Sequence, residues 1–131
     1  MARGCRDFVT ESHIDLIIPV PLHPKRLRWR GFNQAVLLAR QVSRVSNIPL
    51  DPFVLCRLRE TPPQTQLGED ERRTNVRGAF MLHPEKQIDN KNVLLVDDVY
   101  TSGATVNECS RTLTKGGAKQ VYVLTFARTV F

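Results

Sequence analysis

Asn92-Val93-Leu94-Leu95-Val96-Asp97-Asp98-Val99-Tyr100-Thr101-Ser102-Gly103-Ala104-Thr105 decides how this chain folds. The run Val93 to Val96 is apolar on both faces of an extended chain. That pattern predicts a strand at the centre of a parallel sheet, covered by helices on either side. Two carboxylates then stand side by side at the strand's end. Adjacent acids at a buried strand end repel and desolvate one another, so a compensating group is expected. Sugar hydroxyls or a bound cation would serve.

Beyond the acids, Thr101, Ser102, Gly103 and Thr105 lead into a helix. Hydroxyls, backbone N–H groups and the positive end of a helix together suit a phosphate. Gly103 permits close backbone approach. Acids for a sugar followed by hydroxyls for a phosphate describe the two ends of a ribose 5-phosphate. Other phosphate loops are excluded: the chain has neither Gly-x-x-x-x-Gly-Lys nor Gly-x-Gly-x-x-Gly.

Thr105-Val106-Asn107-Glu108 has the spacing of a capping box. Val106, Cys109 and Leu113 supply a helical core face, and Gly116-Gly117 a helix stop. Gln120 to Ala127, rich in β-branched and aromatic residues, is the last strand.

Upstream, Asp15-Leu16-Ile17-Ile18-Pro19-Val20 reads as a short buried strand ended by Pro19 and Pro21. A loop from Pro21 to Phe32 carries Lys25, Arg26, Arg28 and Arg30, with Trp29 as an apolar anchor. Asn33 is the expected N-cap of the next helix, with Phe32 and Leu37 at hydrophobic-staple spacing. Ala35, Leu38, Ala39, Val42 and Val45 recur at helical intervals, and the helix should end near Asn47, before Pro49. Phe53 to Leu58 suggests a second strand. Glu60 to Arg77 is polar and charged, and reads as a long functional loop. Gly78-Ala79-Phe80-Met81 is expected to return to the sheet.

Strands alternating with helices predict an α/β domain with a mostly parallel central sheet flanked by helices. Residues 1–131 are read as one domain, with 1–13 as a lead-in. Ligands of such sheets sit beyond the carboxyl ends of the strands. The loops Pro21–Phe32, Glu60–Arg77 and Asp97–Gly103 should meet there.

The net charge of +6 favours an anionic partner, whether phosphorylated metabolite or nucleic acid. Three separated cysteines, Cys5, Cys56 and Cys109, with no Cys-x-x-Cys pair, argue against a zinc ribbon or a redox motif. Cys56 and Cys109 are expected to be bystander thiols. His13, His23 and His83 are scattered and form no histidine–carboxylate cluster for a transition metal. No apolar stretch is long enough to span a membrane, and the N-terminus lacks the apolar core of a secretory signal. A cytoplasmic location, with no membrane partner, is the expectation.

The stretch from Val93 to Thr105 resembles the motif with which type I phosphoribosyltransferases bind phosphoribosyl pyrophosphate (PRPP). A narrower resemblance lies in Pro19-Val20-Pro21-Leu22-His23, in Arg30-Gly31-Phe32-Asn33-Gln34-Ala35, and in Gln66-Leu67, Arg72, Asn75-Val76 and Ala79-Phe80. These look like the ComF/GntX (competence protein F) family, over nearly everything from Asp15 to Arg128. Members of that family often carry a cysteine-rich, zinc-ribbon-like segment before the first strand, where this chain has Cys5 and a short lead-in.

The resemblance implies a phosphoribosyltransferase that moves a phosphoribosyl group from PRPP to a nitrogenous acceptor and releases pyrophosphate. It implies that Asp97 and Asp98 contact the ribose hydroxyls. Val99, Tyr100, Thr101, Ser102, Gly103, Ala104 and Thr105 would complete the ribose 5-phosphate site. Pro21, Arg26 and Arg30 would hold pyrophosphate. The loop Glu60–Arg77 resembles a flexible catalytic hood, with Arg72, Arg73 and Arg77 closing over the leaving group and Gln64 and Gln66 touching substrate. Asp97, Asp98 and Arg72 are the expected catalytic residues. Magnesium carried in by the pyrophosphate is the expected metal, with no dedicated protein metal site. The alternative is a non-catalytic PRPP sensor, or a module binding single-stranded DNA or DNA-uptake proteins. A homodimer is a further expected partner.

Overall fold

The first strand, β1, is formed by four buried residues, Leu16–Pro19. The structure is a computed structural model that describes residues 13–22, 33–58, 76–100 and 103–128, with the side chains of 99, 100, 127 and 128 left aside. After β1 come helix α1 (Gln34–Ser46), strands β2 (Leu55–Arg57), β3 (Phe80–Leu82) and β4 (Asn92–Tyr100), helix α2 (Ala104–Lys115) and strand β5 (Gln120–Arg128).

β4 is the centre of a parallel sheet of order β1-β4-β5. Leu16 to Pro19 pair with Val93 to Val96, and Asn92 to Asp97 with Gln120 to Thr125. The two helices cover opposite faces, which is why Val93, Leu94, Leu95 and Val96 are all fully buried. Leu16, Ile18, Val93 and Leu95 pack with Val106, Cys109 and Leu113 of α2. Ile17, Leu94 and Val96 pack with Ala39 and Val42 of α1. The outer edge of β1 is covered by the chain leaving α1: Ile17 donates to the Pro49 carbonyl at 2.9 Å, and Asp51 donates to the Ile17 carbonyl at 3.0 Å. Such covering prevents edge-to-edge association.

The ends of α1 follow its sequence signals. The Asn33 side chain accepts from the Ala35 N–H at 2.9 Å. Asn47, at φ 61°, terminates the helix. Leu37 is exposed at 42%, and its expected staple partner Phe32 lies outside the described residues. Val45 also stands exposed.

Three expectations are corrected. The return of the chain at Phe80 does not join the central sheet. β3 pairs antiparallel with β2, Arg57 opposite Phe80 and Leu55 opposite Leu82, as a separate two-stranded ribbon. Its alternation explains why: Leu55 and Phe80 join the α2-side core, while Met81 on the other face is exposed. Second, the strand before the acids does not stop at Val96. Pairing continues through Asp97 opposite Thr125, Val99 opposite Ala127 and Tyr100 opposite Arg128. A backbone ladder needs a partner strand rather than apolar side chains, and β5 is equally long.

Third, the capping box at Thr105 is not formed. The helix starts earlier, at Ala104, with Gly103 as its N-cap in the left-handed region at φ 83°. Glu108 turns elsewhere: its Oε1 accepts from the Gly78 N–H at 3.1 Å and lies 3.6 Å from Nη1 of Arg111.

Candidate functional site

The carboxyl ends of the parallel strands gather most of the described candidates. At β1, Val20 donates to the Val96 carbonyl at 2.9 Å, fixing the strand end beside β4. Nδ2 of Asn33 donates to the Val20 carbonyl at 3.1 Å. One asparagine therefore caps α1 and ties that cap to the end of β1. Pro21, the first pyrophosphate candidate, is half-buried at this junction.

Beside it runs the second half of β4. Strand alternation starts Asp97 on the face of Val93 and Leu95, and Asp98 on that of Leu94 and Val96. Both acids are half-buried. The Asp98 backbone N–H donates to Oδ1 of Asp97 at 2.9 Å. Burial pushes the Asp97 carboxyl up to about 7, reinforced by a hydrogen bond to the Asp98 carboxyl and by its charge. The Asp98 N–H and the Arg57 charge oppose that rise. A half-buried acid held on the edge of ionisation is what adjacent carboxylates require, and a ligand offering hydroxyls or positive charge relieves it.

From Tyr100 the chain reaches α2 through Gly103 and Ala104, both buried, and Thr105, half-buried. The first turn of any helix carries N–H groups without intrahelical acceptors and the positive end of the dipole. This turn follows directly on the strand that bears the two acids. The two acids and the helix N-terminus are thus carried by consecutive elements, β4 and α2.

Of the other candidates, Thr101, Ser102, Arg26, Arg30 and Arg72 lie outside the described residues, as do His23, Arg28, Trp29, Gln64, Gln66 and Arg73. Val99 and Tyr100 are placed as β4 backbone. Arg77 is exposed where the chain returns from residues 59–75. Cys109 is a buried free thiol that desolvation pushes up, so it stays protonated. Among the described residues, no group of three or more His, Cys, Asp or Glu is placed to hold a metal ion. Nor is any helix among them long and apolar enough to cross a membrane.

The sequence reading missed Arg57. It shares the inward face of the ribbon with Leu55, its guanidinium lies 5.1 Å from the centre of the Phe80 ring, and its charge acts on Asp97. The parity of Leu55 and Arg57 within one short strand was the available signal.

Parallel sheet, helices on both faces and paired acids running into a helix N-terminus define a phosphoribosyltransferase domain. Residues 31–129 match the family described as phosphoribosyl transferase domain, and the chain belongs to that family. The narrower resemblance also stands. The chain is 42% identical over 115 residues to Competence protein F of Haemophilus influenzae, covering 87% of this chain and 50% of that protein. It is 39% identical over 116 residues to the DNA utilization protein YhgH of Escherichia coli O157:H7, covering 88% of this chain and 50% of that protein. Competence protein ComFC of Bacillus subtilis is 34% identical over 115 residues, covering 87% of this chain and 45% of that protein. The chain thus spans about half the length of these curated relatives.

Among solved structures, a purine phosphoribosyltransferase from Pyrococcus horikoshii aligns with a TM-score of 0.62 at 20% identity, over 97% of this chain and 69% of that one. The adenine phosphoribosyl transferase from Trypanosoma brucei, in complex with AMP, pyrophosphate and ribose-5-phosphate, aligns at 0.57 and 17% identity, over 95% of this chain and 50% of that one. Both likenesses establish the type I phosphoribosyltransferase fold.

Proposed function

We propose that this chain is a single phosphoribosyltransferase domain that binds PRPP and transfers its phosphoribosyl group to a nitrogenous acceptor. The observation that carries this reading is the continuity of β4 into α2. Two half-buried acids, one raised to about 7, are followed after Gly103 by a helix N-terminus on the same ligand-facing end of the sheet.

In this reading Asp97 and Asp98 accept hydrogen bonds from the ribose hydroxyls and fix the sugar. Thr101, Ser102, Gly103 and Thr105 hold the 5-phosphate at the start of α2. Pro21, Arg26 and Arg30 form the pyrophosphate side, reached from β1. Arg72 closes over it from the segment that returns at Arg77. The bond between the anomeric carbon and the pyrophosphate oxygen breaks as the acceptor nitrogen attacks. Little covalent help is required from the protein, which positions the reactants and neutralises the departing charge. The carboxylate oxygens of Asp97 and Asp98 are hard donors of the kind magnesium accepts. Magnesium would add charge neutralisation on the pyrophosphate.

Calorimetry with PRPP and magnesium tests binding, and a nucleobase panel scored for pyrophosphate release tests transfer. The double variant D97N/D98N should fold and lose PRPP binding. Undiminished affinity in that folded variant would remove the site from these residues.

The relatives' names, Competence protein F and DNA utilization protein, favour a second reading. In it the site senses PRPP without transfer, and the positively charged chain binds single-stranded DNA or proteins that handle it. DNA affinity measured against salt separates the two. A steep salt slope indifferent to PRPP supports the DNA module. An absent response removes it.

A further inference from the structure

We propose that Asn33 is a positioning residue of the phosphoribosyl site. Its side-chain amide replaces a rung between β1 and β4 and sets the pyrophosphate side, at the end of β1, against the two acids of the ribose side. The inference rests on the PRPP reading above and deepens it.

Asn33 acts at a break in the parallel ladder. The register places Pro19 opposite Val96, so Val20 stands level with Asp97. The Val20 N–H donates to the Val96 carbonyl at 2.9 Å. The next rung of a parallel ladder would run from the Asp98 N–H to the Val20 carbonyl. Both of its partners turn elsewhere. The Asp98 N–H donates to Oδ1 of Asp97 at 2.9 Å, and the Val20 carbonyl accepts from Nδ2 of Asn33 at 3.1 Å. β1 and β4 thus part at the first acid, and one side chain holds the departing strand.

The residue type fits this role. Val20 is buried at 5% exposure, so its carbonyl requires a donor. Serine, threonine or aspartate would also cap α1. Only asparagine among these carries an amide, with an acceptor and a donor on one rigid plane. Oδ1 accepts from the N–H of Ala35, itself buried, and Nδ2 reaches Val20. The acceptor serves the helix and the donor serves the strand. One planar group therefore joins the point where the chain leaves β1 to the point where it enters α1, 13 residues later.

The functional consequence follows from what lies on either side. Pro21 directly follows Val20 and is half-buried, and Arg26 and Arg30 fall between the two residues that Asn33 joins. Asp97 and Asp98 lie across the opened rung. PRPP would bridge these two sides, so its affinity depends on how they are held relative to one another. Ribose 5-phosphate engages the β4–α2 side alone.

Calorimetry with PRPP and magnesium, and separately with ribose 5-phosphate, reads the two cases in wild type, N33S, N33D and N33A. Serine and aspartate keep an acceptor for the Ala35 N–H but offer no amide to Val20. N33S and N33D should each weaken PRPP about tenfold, while ribose 5-phosphate stays within about twofold of wild type. The melting temperature should fall most in N33A, which lacks cap and tie alike. N33T repeats the measurement should N33S not fold. A loss confined to N33D assigns the effect to its added negative charge and overturns the inference. Unchanged PRPP affinity in the folded variants overturns it too. So does equal weakening of both ligands, which is what a merely structural asparagine would give. A wild-type protein that binds neither ligand overturns the PRPP reading, and the positioning role of Asn33 with it.

Discussion

The Asp98 backbone N–H donates to Oδ1 of Asp97 at 2.9 Å, so one acid is partly stabilised by the main chain of the other while the two carboxyls oppose each other. The contest leaves Asp97 raised from 3.8 to about 7, with burial as the largest cause. Unfolding would return it to its ordinary value. Between about pH 4 and 7 the unfolded chain binds fewer protons at this residue than the folded one, so the folded state loses stability as pH rises through that window. D97N removes the ionisation at nearly constant shape. It should therefore stabilise the free protein at pH 8 by on the order of 2 kcal/mol, with the gain vanishing near pH 4. Denaturant unfolding at the two pH values measures it. The same variant should lose PRPP binding. A substitution that stabilises the fold and removes the ligand separates a site residue from a structural one.

The raised acid also links ligand to protons. Ribose hydroxyls favour the ionised form of Asp97, so PRPP binding near pH 6.5 should expel part of a proton from the protein. Affinity should rise with pH up to about 7 and level off above it. Binding enthalpies measured in PIPES and in imidazole, whose ionisation heats differ widely, report the proton directly. Identical enthalpies in the two buffers would mean that Asp97 does not change its protonation on binding.

Gly103 enters α2 at φ 83°, a region that L side chains adopt at a cost of about 1–2 kcal/mol. G103A should lower stability by about that amount. If the proposed site is right, it should also weaken inorganic phosphate and ribose 5-phosphate more than a surface substitution of equal destabilisation would, because the added methyl would stand where backbone and phosphate approach. Comparing the two ligands with T114A, an exposed position near the end of α2, isolates the local effect.

How much of this was legible in the sequence depends on where each signal lies. The buried strands were read from apolar runs with no charge, and the cap of α1 from Asn33 alone, because both are local. The start of α2 was misplaced because Thr105 and Glu108 fit a capping box equally well on paper. A backbone that turns left-handed at Gly103 starts the helix two residues sooner and frees Glu108 for Gly78. The end of β4 was misplaced because its length is set by β5, a distant partner. The β2–β3 ribbon and Arg57 were missed for the same reason. The parity of Leu55 and Arg57 puts the arginine on one face with a leucine, but which face is the inside depends on the partner strand, and no local pattern states which strand that is.

Glu108 carries the last prediction. Its side chain is only 14% exposed and accepts from the N–H of Gly78, the residue at φ 71° where the segment resembling a catalytic hood rejoins the described fold. The bond ties that return to the helix whose N-terminus would hold the phosphate. E108A leaves the Gly78 N–H without this acceptor and should cost about 1 kcal/mol of stability. E108Q keeps an acceptor oxygen at the same reach and should cost less. If the tie sets the approach of the hood, E108A should raise the KM for PRPP several-fold while E108Q stays near wild type, and inorganic phosphate should bind both alike. Equal effects of the two variants on KM would assign the role of Glu108 to its charge, through Arg111 at 3.6 Å, rather than to the hydrogen bond with Gly78.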